Sequence, residues 1–317
     1  MRIIRSIKKS IRRYGVTGTI QKGVQKIIGL GGVNDELSTL QYFLNAYHSP
    51  SDLPHATDAD LRIMQLCDVQ FLRIVTMTCD RLGLKYWLDY GTLLGAIRHK
   101  GFIPWDDDMD MSMPRADYNR AITELRDALS TYGIEYIEIK RLGHIRFGYN
   151  HLKTGIWLDV LAMDDYYTDE NRNEVIEHLQ GTLPKYRKVY DANLHKATIE
   201  KREEWRKSII GGLNGRNRFL YMTPEFLYSR IVVHPYDDTF PLSKTAFEGY
   251  SFSVPQNCDL YLRAIYGNKY MGFPKAGILH HDMGNSSLST WAKRNGIDMN
   301  EIYKKLKDIA DGINISE

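Results

Sequence analysis

The sequence is poor in cysteine, and its three cysteines form no C-x-x-C pair. This scarcity excludes a disulfide framework and a cysteine-rich zinc site. Cys67 and Cys79 fall on an apolar stripe with helical spacing. We therefore expect both to fill the core of a protein in a reducing cytoplasm.

Long apolar runs are also missing, because no segment reaches the ~18 residues that a membrane-spanning helix needs. The first 30 residues contain no uninterrupted apolar segment, which argues against a secretory signal peptide. The chain shows no internal repeat and no low-complexity segment. Its 317 residues, 43% hydrophobic and 26% charged, suit one large α/β domain with additions. We expect a cytoplasmic location.

Acidic residues are absent from the start of the chain. None precedes Asp35, whereas eight arginines and lysines lie within residues 1–30, the basic arm. The remaining 34 of 42 basic residues face 39 acidic ones, so the rest of the chain is acidic and argues against nucleic acid as a partner. Isoleucines interleave with the cations of the basic arm. This pattern predicts an amphipathic helix that binds the anionic inner face of a membrane, with a helix packed on the body as the alternative.

Local signals predict a small mixed sheet with helices. Helices are predicted over residues 57–82, 91–98, 114–129 and 300–309, with a polar helical stretch over 169–207. Strands are predicted over residues 86–89, 103–113, 135–140, 144–150 and 156–163. The order of these elements favours an α/β (α+β) fold with a mixed sheet flanked by helices over a doubly wound parallel series.

Four aspartates lie within five residues of the acidic run, Trp105–Met111, whose sequence is WDDDMDM. Like charges this close repel by roughly 3 kcal/mol per pair at ~5 Å and an effective dielectric of ~20. A bound divalent cation would relieve this repulsion, and hard carboxylate oxygens suit Mg²⁺ or Mn²⁺. The acidic run therefore predicts a metal site.

Strand geometry assigns roles within the acidic run, because side chains alternate between two faces. The methionines would face the core, and Asp108 and Asp110 would open to a cleft and ligate the metal. Asp106 and Asp107, at the entry of the strand, would support the metal or face the substrate. Asp159 stands alone in an apolar strand, where burial is costly unless the carboxylate is paired or ligating. We predict it as the third ligand, with a salt bridge or a cap as the alternative.

A glycine-rich turn, GTLLG, precedes the acidic run between a strand and a helix. The backbone N–H groups after Gly91, and the hydroxyl of Thr92, would bind phosphate oxygens. A phosphate cradle beside a metal site is typical of phosphoryl or nucleotidyl transfer. Arg98, Lys100 and Arg115 bracket the acids and would neutralise a diphosphate, unless they are surface cations that balance the local negative field.

Residues 86–115, YWLDYGTLLGAIRHKGFIPWDDDMDMSMPR, closely resemble the LicD family of phosphotransferases, relatives of the fukutin group. Weaker similarities at Trp157–Val160, Phe247–Gly249 and Tyr266–Gly267 extend the resemblance over about residues 60–280. On this basis we divide the chain into three parts. These are the basic arm (1–30), a LicD-like catalytic domain (55–285) and a C-terminal helical extension (286–317).

The resemblance implies a nucleotidyltransferase-like fold in which the D-x-D pair and the third acid are Asp108, Asp110 and Asp159. It implies metal-dependent transfer of phosphocholine or a phospho-polyol from a CDP-alcohol donor to a sugar hydroxyl of a surface glycan. Capsule, lipopolysaccharide, teichoic acid and lipid-linked glycans are acceptors of this kind. Asp159, or else Asp108, would take or orient the acceptor proton. Arg98 and Lys100 would stabilise developing charge.

Three other functions stay open. A D-x-D glycosyltransferase would use a nucleotide sugar, although that fold places a longer nucleotide-binding region before its D-x-D than this chain has. A nucleotidyltransferase would release pyrophosphate instead of CMP. A non-catalytic glycan-binding protein would not need the acidic residues, which are all present.

Overall fold

The structure, a computed structural model, describes residues 59–140, 143–222, 231–272 and 295–313. The basic arm lies outside these residues. Among the helices described, none combines the length and the apolar character that crossing a membrane would demand.

Within the described residues, seven strands form one mixed sheet of order β1-β2-β5-β4-β3, and β6 joins β5 to β7. The strands are β1 (Trp87–Leu88), β2 (Asp110–Pro114), β3 (Glu135–Ile139), β4 (His144–Gly148), β5 (Trp157–Thr168), β6 (Asn217–Met222) and β7 (Val233–Pro235). A separate hairpin follows, formed by β8 (Ser243–Phe247) and β9 (Tyr250–Val254).

Helices flank this sheet, as the sequence predicted. They are α1 (Ala59–Arg81), α2 (Tyr90–Arg98), α3 (Arg115–Arg120), α4 (Arg126–Ser130), α5 (His151–Thr154), α6 (Arg172–Ala192), α7 (Ile199–Trp205), α8 (Tyr236–Thr239), α9 (Cys258–Tyr266) and α10 (Met299–Gly312). The π-helical segment Ala121–Leu125 joins α3 to α4, a second one, Arg206–Ile210, follows α7, and the 3₁₀ turn Leu194–Lys196 precedes α7.

The last helix packs along the first. The Cys67 thiol donates to the carbonyl of Met299 at 3.4 Å, and Arg73 Nη2 lies 2.9 Å from Asp311 Oδ1. Cys67 and Cys79 are fully buried in this core, as predicted from their spacing. The helix at the end of the chain therefore shares one hydrophobic core with α1 and the sheet.

Strand β5 is the centre of the sheet. Its first half runs parallel to β2 on one side and antiparallel to β4 on the other, and its second half pairs with β6. The sequence predicted a strand over 156–163, so the observed strand is longer. Because β5 is flanked on both sides, its polar side chains meet those of two neighbouring strands.

The acidic run is not a strand throughout, which corrects the prediction of an extended segment over 103–113. Only Asp110–Pro114 is a strand, and the three preceding aspartates lie outside it. Successive side chains of a strand point to opposite faces, whereas these three carboxylates converge, so they cannot belong to one. The core-facing prediction holds for Met109, Met111 and Met113, which are fully buried.

Candidate active site

A row of four ionisable side chains crosses the sheet at one level. Asp159 on β5 is the register partner of Asp110 on β2 and of Arg146 on β4. Asp89 directly follows β1, and its backbone N–H donates to the Asp110 carbonyl at 3.1 Å. Register partners place their side chains on one face, so the predicted neighbour relation between Asp159 and Asp110 is confirmed.

Asp159 is held by two basic residues of β4. Arg146 donates from Nε to Oδ1 at 2.6 Å and from Nη2 to Oδ2 at 2.8 Å, and His144 Nε2 lies 3.3 Å from Oδ1. Burial acts to raise the pKa of Asp159, but the hydrogen bonds from Arg146 and His144 outweigh it and lower the pKa below its usual value. Asp159 is therefore an ionised carboxylate, and the salt bridge named above as its alternative role is present.

Asp110 is the first residue of β2, and its buried carboxyl lies near other acids. Burial, followed by the charges of Asp108 and Asp159, raises the pKa of Asp110 well above its usual value. Its backbone is fixed by Thr92, whose buried Oγ1 accepts from the Asp110 N–H at 2.8 Å. Thr92 thus positions the backbone of Asp110, a contact that the sequence did not predict.

Asp106, Asp107 and Asp108 bring their carboxylates together just before β2. Each offers an oxygen atom, and the three oxygens lie within 4.8 Å of one another. Burial, and then the charges of Asp108 and Asp107, raise the pKa of Asp106 well above its usual value. Gly91 makes room for this carboxylate, since a Cβ there would stand 2.8 Å from Asp106 Oδ2. Asp106 therefore faces the same helix start at which the sequence predicted a phosphate cradle.

Helix α1 adds two buried polar side chains that sequence reasoning missed. Gln65 Nε2 donates to the Asp106 carbonyl at 2.9 Å. Asp68, one turn later, is 1% exposed, and its Oδ2 has no hydrogen-bond partner among the described residues. Burial, and then the charges of Asp107 and Asp108, raise the pKa of Asp68 well above its usual value. Two polar residues three apart inside an apolar helix were the available signal.

Asp89 is another buried acid that sequence reasoning left without a role. It caps α2 by accepting from the Tyr90 N–H at 2.7 Å, and its Oδ2 accepts from Ser112 Oγ at 2.6 Å and Tyr261 Oη at 2.9 Å. Burial raises the pKa of Asp89 to about 6, although these three hydrogen bonds oppose the rise. Trp87 Nε1 donates to Tyr261 Oη at 3.0 Å. The network fixes the start of α2 beside Asp110.

Arg98 and Lys100 lie in different surroundings. Arg98 is 6% exposed, and its Nη1 donates to the backbone carbonyl of Tyr270 at 3.1 Å. Its positive charge also acts on Asp106 and opposes the rise in the pKa of that carboxyl. Lys100 is exposed. The structure therefore brings the Arg98 charge to the acidic run and leaves Lys100 at the surface near it.

Arg115 lies apart from the acidic run. It directly follows β2, at the end opposite Asp110. Its Nε and Nη2 donate to the two carboxylate oxygens of Asp164 at 2.8 and 2.9 Å. The structure therefore does not bring Arg115 together with the other predicted site residues.

The turn between β8 and β9 holds the segment that leads into the acidic run. Glu248 at this turn accepts from Arg62 of α1 at 2.9 and 2.6 Å and from the Phe102 N–H at 3.1 Å. Its own N–H donates to the Lys100 carbonyl at 2.8 Å. Gly101 permits this approach, because a Cβ there would overlap the Glu248 carboxylate. Glu248 therefore ties α1 and the hairpin to the loop that carries the aspartates.

A known protein family matches the part of the chain that contains most of the site residues. Residues 83–171 match the family described as LicD/FKTN/FKRP, nucleotidyltransferase domain. These residues are a LicD-family domain. The LicD-family domain begins after α1, ends after β5 and contains the whole acidic run.

Three curated relatives share local similarity with this chain. The lipopolysaccharide cholinephosphotransferase LicD of Haemophilus influenzae is 50% identical over 62 residues, 20% of this chain and 23% of that protein. The ribitol 5-phosphate transferase FKRP of Homo sapiens is 32% identical over 126 residues, 35% and 25% of the two chains. An uncharacterized protein of Rickettsia typhi is 56% identical over 67 residues, 19% and 22% of the two chains. This chain thus spans about a quarter of the length of these relatives, two of which are named phosphotransferases.

The site extends beyond the LicD-family domain on both sides. The row across the sheet and the acidic run lie within residues 83–171. The residues that support them from outside are Arg62, Gln65, Asp68, Glu248 and Tyr261. Helix α1 and the C-terminal half of the chain therefore complete the surroundings of the aspartates.

Proposed function

We propose that this protein transfers phosphocholine or a phospho-polyol from a CDP-alcohol donor to a sugar hydroxyl of a cell-surface glycan. The observation that carries this proposal is the pairing of Asp110 with Asp159 on adjacent strands of a LicD-family domain. Asp108 lies two residues before Asp110 and completes the D-x-D pair. Several carboxylates at one point suit a reaction in which a diphosphate is bound and cleaved. The relatives named as phosphotransferases support the same class of reaction.

The reaction is proposed to need Mg²⁺ or Mn²⁺, held by Asp108, Asp110 and Asp159. Carboxylate oxygens suit these hard cations. The raised pKa of Asp110, which comes from burial and neighbouring acids, means that its ionised form needs a compensating positive charge. When bound, the cation would offset negative charge on the diphosphate and on the leaving CMP. Asp106 and Asp107 are proposed to support it or to face the substrate.

Asp159 is proposed to orient the acceptor hydroxyl. Arg146 and His144 keep its carboxylate ionised, so it accepts a hydrogen bond at neutral pH. The same contacts lower its pKa and make it a weak proton acceptor. Orientation of the attacking oxygen is therefore the role that the contacts of Asp159 favour, and Asp108 is the alternative proton acceptor.

The donor phosphates are proposed to bind at the start of α2, near Gly91 and Thr92. The N-terminus of a helix attracts anions, and the positive charge of Arg98 lies beside this position. Lys100 is exposed, and its flexible stem would let the ammonium reach a diphosphate. Both basic side chains would stabilise charge that develops as CMP leaves.

The experiment is a panel of CDP-choline, CDP-ribitol, CDP-glycerol and nucleotide sugars, each with Mg²⁺ or Mn²⁺ and a glycan acceptor. We expect one CDP-alcohol to release CMP in equal amount to the phospho-alcohol gained by the acceptor. Asp159→Asn should lose this activity. The control is Asp165→Asn, which alters another acid of β5 that pairs with Arg218 and should keep the activity.

The same panel distinguishes the other functions. Pyrophosphate release would identify a nucleotidyltransferase, and sugar transfer from a nucleotide sugar would identify a glycosyltransferase. Glycan binding without turnover of any donor would identify a non-catalytic protein. Each of these results would overturn the proposed phospho-alcohol transfer.

The basic arm is proposed to bring the enzyme to its acceptor. A lipid-linked glycan on the inner face of a membrane would lie next to anionic headgroups. Each lysine or arginine near such a surface contributes about 1 kcal/mol of attraction, and residues 1–30 contain eight. A lipid-linked acceptor would explain a location at the inner face of the membrane. Neither proposal depends on which phospho-alcohol is transferred.

A further inference from the structure

Trp157 lies on the face of the sheet that carries the candidate active site. It is the first residue of β5 and precedes Asp159 by two residues, so both side chains point to the same face. Both are partly exposed, whereas Leu158 and Val160, on the opposite face of the strand, are fully buried. Arg146, the register partner of Asp159 on β4, is also partly exposed. Solvent therefore reaches the sheet beside Asp159, and Trp157 is part of the surface that it reaches.

The indole ring of Trp157 is held in place by Arg146. The guanidinium carbon of Arg146 lies 4.7 Å from the centre of the ring, and the same guanidinium donates two hydrogen bonds to Asp159. The register partner of Trp157 on β4 is Gly148, so β4 places no side chain opposite the ring. A ring that is already fixed loses little conformational freedom when a ligand packs on it.

We propose that Trp157 is the platform on which the ring of the acceptor sugar stacks. A pyranose presents apolar C–H groups on its face, which pack on an aromatic ring, and hydroxyls at its edge, which need polar partners. Trp157 supplies the apolar surface, and Asp159 supplies the carboxylate about 7 Å further along the strand, a spacing on the scale of one sugar ring. This inference rests on the proposed function only in naming the bound sugar as the acceptor.

A quaternary ammonium, such as the choline end of a donor, is another ligand that an aromatic ring attracts. Arg146 disfavours it at Trp157, because one cation already lies over this ring and would repel a second one. A neutral sugar meets no such repulsion. The charge of Arg146 therefore favours the acceptor over the donor as the ligand of Trp157.

The test is fluorine NMR of the full-length protein labelled with fluorotryptophan, without any donor. The chain has five tryptophans, and Trp157→Phe identifies the signal of Trp157. We expect a methyl glycoside of glucose, galactose or N-acetylglucosamine to shift this signal, and choline chloride and ribitol to leave it unchanged. The control is Trp205, a partly exposed tryptophan at the end of α7, whose signal none of these compounds should shift. If Trp157→Phe does not fold, Trp157→Tyr makes the assignment.

Kinetics separate sugar stacking from a purely structural role of the ring. With the CDP-alcohol that is turned over, Trp157→Leu should raise the KM for the acceptor by at least about tenfold and that for the donor much less. If the ring served only to support Arg146, the substitution would lower kcat and leave the acceptor KM unchanged.

Three results would overturn the sugar platform: a Trp157 signal that no glycoside shifts, a Trp157 signal that choline shifts, or an unchanged acceptor KM in Trp157→Leu. Failure of the proposed function looks different. Glycosides would still shift the Trp157 signal, but no CDP-alcohol would be turned over.

Discussion

Arg146 and Asp159 lie opposite each other on β4 and β5 and share two hydrogen bonds of 2.6 and 2.8 Å. The guanidinium also lies over the Trp157 ring, 4.7 Å from its centre. The third acid of the site therefore has a fixed positive partner on one side and Asp110 of β2 on the other. The hydrogen bonds from Arg146 and His144 lower the pKa of Asp159 against the effect of burial, whereas burial, and then the charges of Asp108 and Asp159, raise the pKa of Asp110.

Arg146→Gln should destabilise the protein by about 2 kcal/mol at pH 7, because it leaves a mostly buried carboxylate without its partner. The lowered pKa of Asp159 stabilises the folded state above the usual value of 3.8 and loses this effect as pH falls through the folded-state pKa. The difference between variant and wild type should therefore shrink in acid. Denaturant unfolding at pH 7 and pH 3 measures it.

The control for this prediction is Arg218→Gln. Arg218 makes an equivalent pair with Asp165 of the same strand, at 2.8 and 3.0 Å, but both side chains are 35% exposed. Exposed pairs contribute about 0–1 kcal/mol. Equal losses from both substitutions would contradict the special position of Arg146.

Asp110→Asn should stabilise the metal-free protein. A folded-state pKa raised above the usual value of 3.8 means that the ionised group opposes folding as pH rises through and above that value. The variant should melt higher than the wild type at pH 7 by roughly 2–4 °C for each kcal/mol gained, and the two should converge near pH 4. Thermal melts in EDTA check this, and a lower melting temperature for the variant at pH 7 would contradict it.

Gly95→Ala should destabilise the loop that delivers the acidic run. A Cβ at Gly95 would stand 2.5 Å from the Gly101 carbonyl oxygen and 3.2 Å from the Ile103 nitrogen, so backbone must move. Overpacking of this kind costs about 1–3 kcal/mol. The matched control is Gly181→Ala in α6, where nothing lies within 4 Å, and which should stabilise by about 0.5–1 kcal/mol. If both substitutions changed the unfolding free energy in the same direction, the close contact at Gly95 would be unimportant.

The basic arm should bind anionic vesicles. We expect the full-length protein to co-sediment with vesicles that contain phosphatidylserine, and to be released by salt as charge attraction is screened. Replacing the eight basic residues of the arm by glutamine in the full chain should abolish binding. Equal co-sedimentation of the substituted protein would refute a membrane role for the arm.

The fold and strand β2 could be predicted because their signals are local. Apolar periodicity indicated α1, and the buried methionines marked the core side of β2. The apolar strand with a single acid placed Asp159 next to Asp110, which the register confirms. Each of these inferences needs only residues that are close in sequence, together with the alternation of a strand.

The supporting residues could not be predicted in the same way. Arg146 meets Asp159 only because β4 and β5 pair in one particular register. Gln65 meets the backbone carbonyl of Asp106, 41 residues further along the chain, only because α1 packs against the acidic run. The predicted start of β2 was too early, because the side chains of residues 106–108 converge instead of alternating between two faces.

The most direct test of the central claim is CMP release from the active CDP-alcohol during a titration of Mn²⁺ into EDTA-treated protein. Wild type should release no CMP without a divalent cation and regain full release as Mn²⁺ saturates Asp108, Asp110 and Asp159. Asp110→Asn should stay at least about 10³-fold slower at every Mn²⁺ concentration, since a group that acts on charge developing in the reaction is lost. Full release in EDTA, or near wild-type release by Asp110→Asn, would contradict the account.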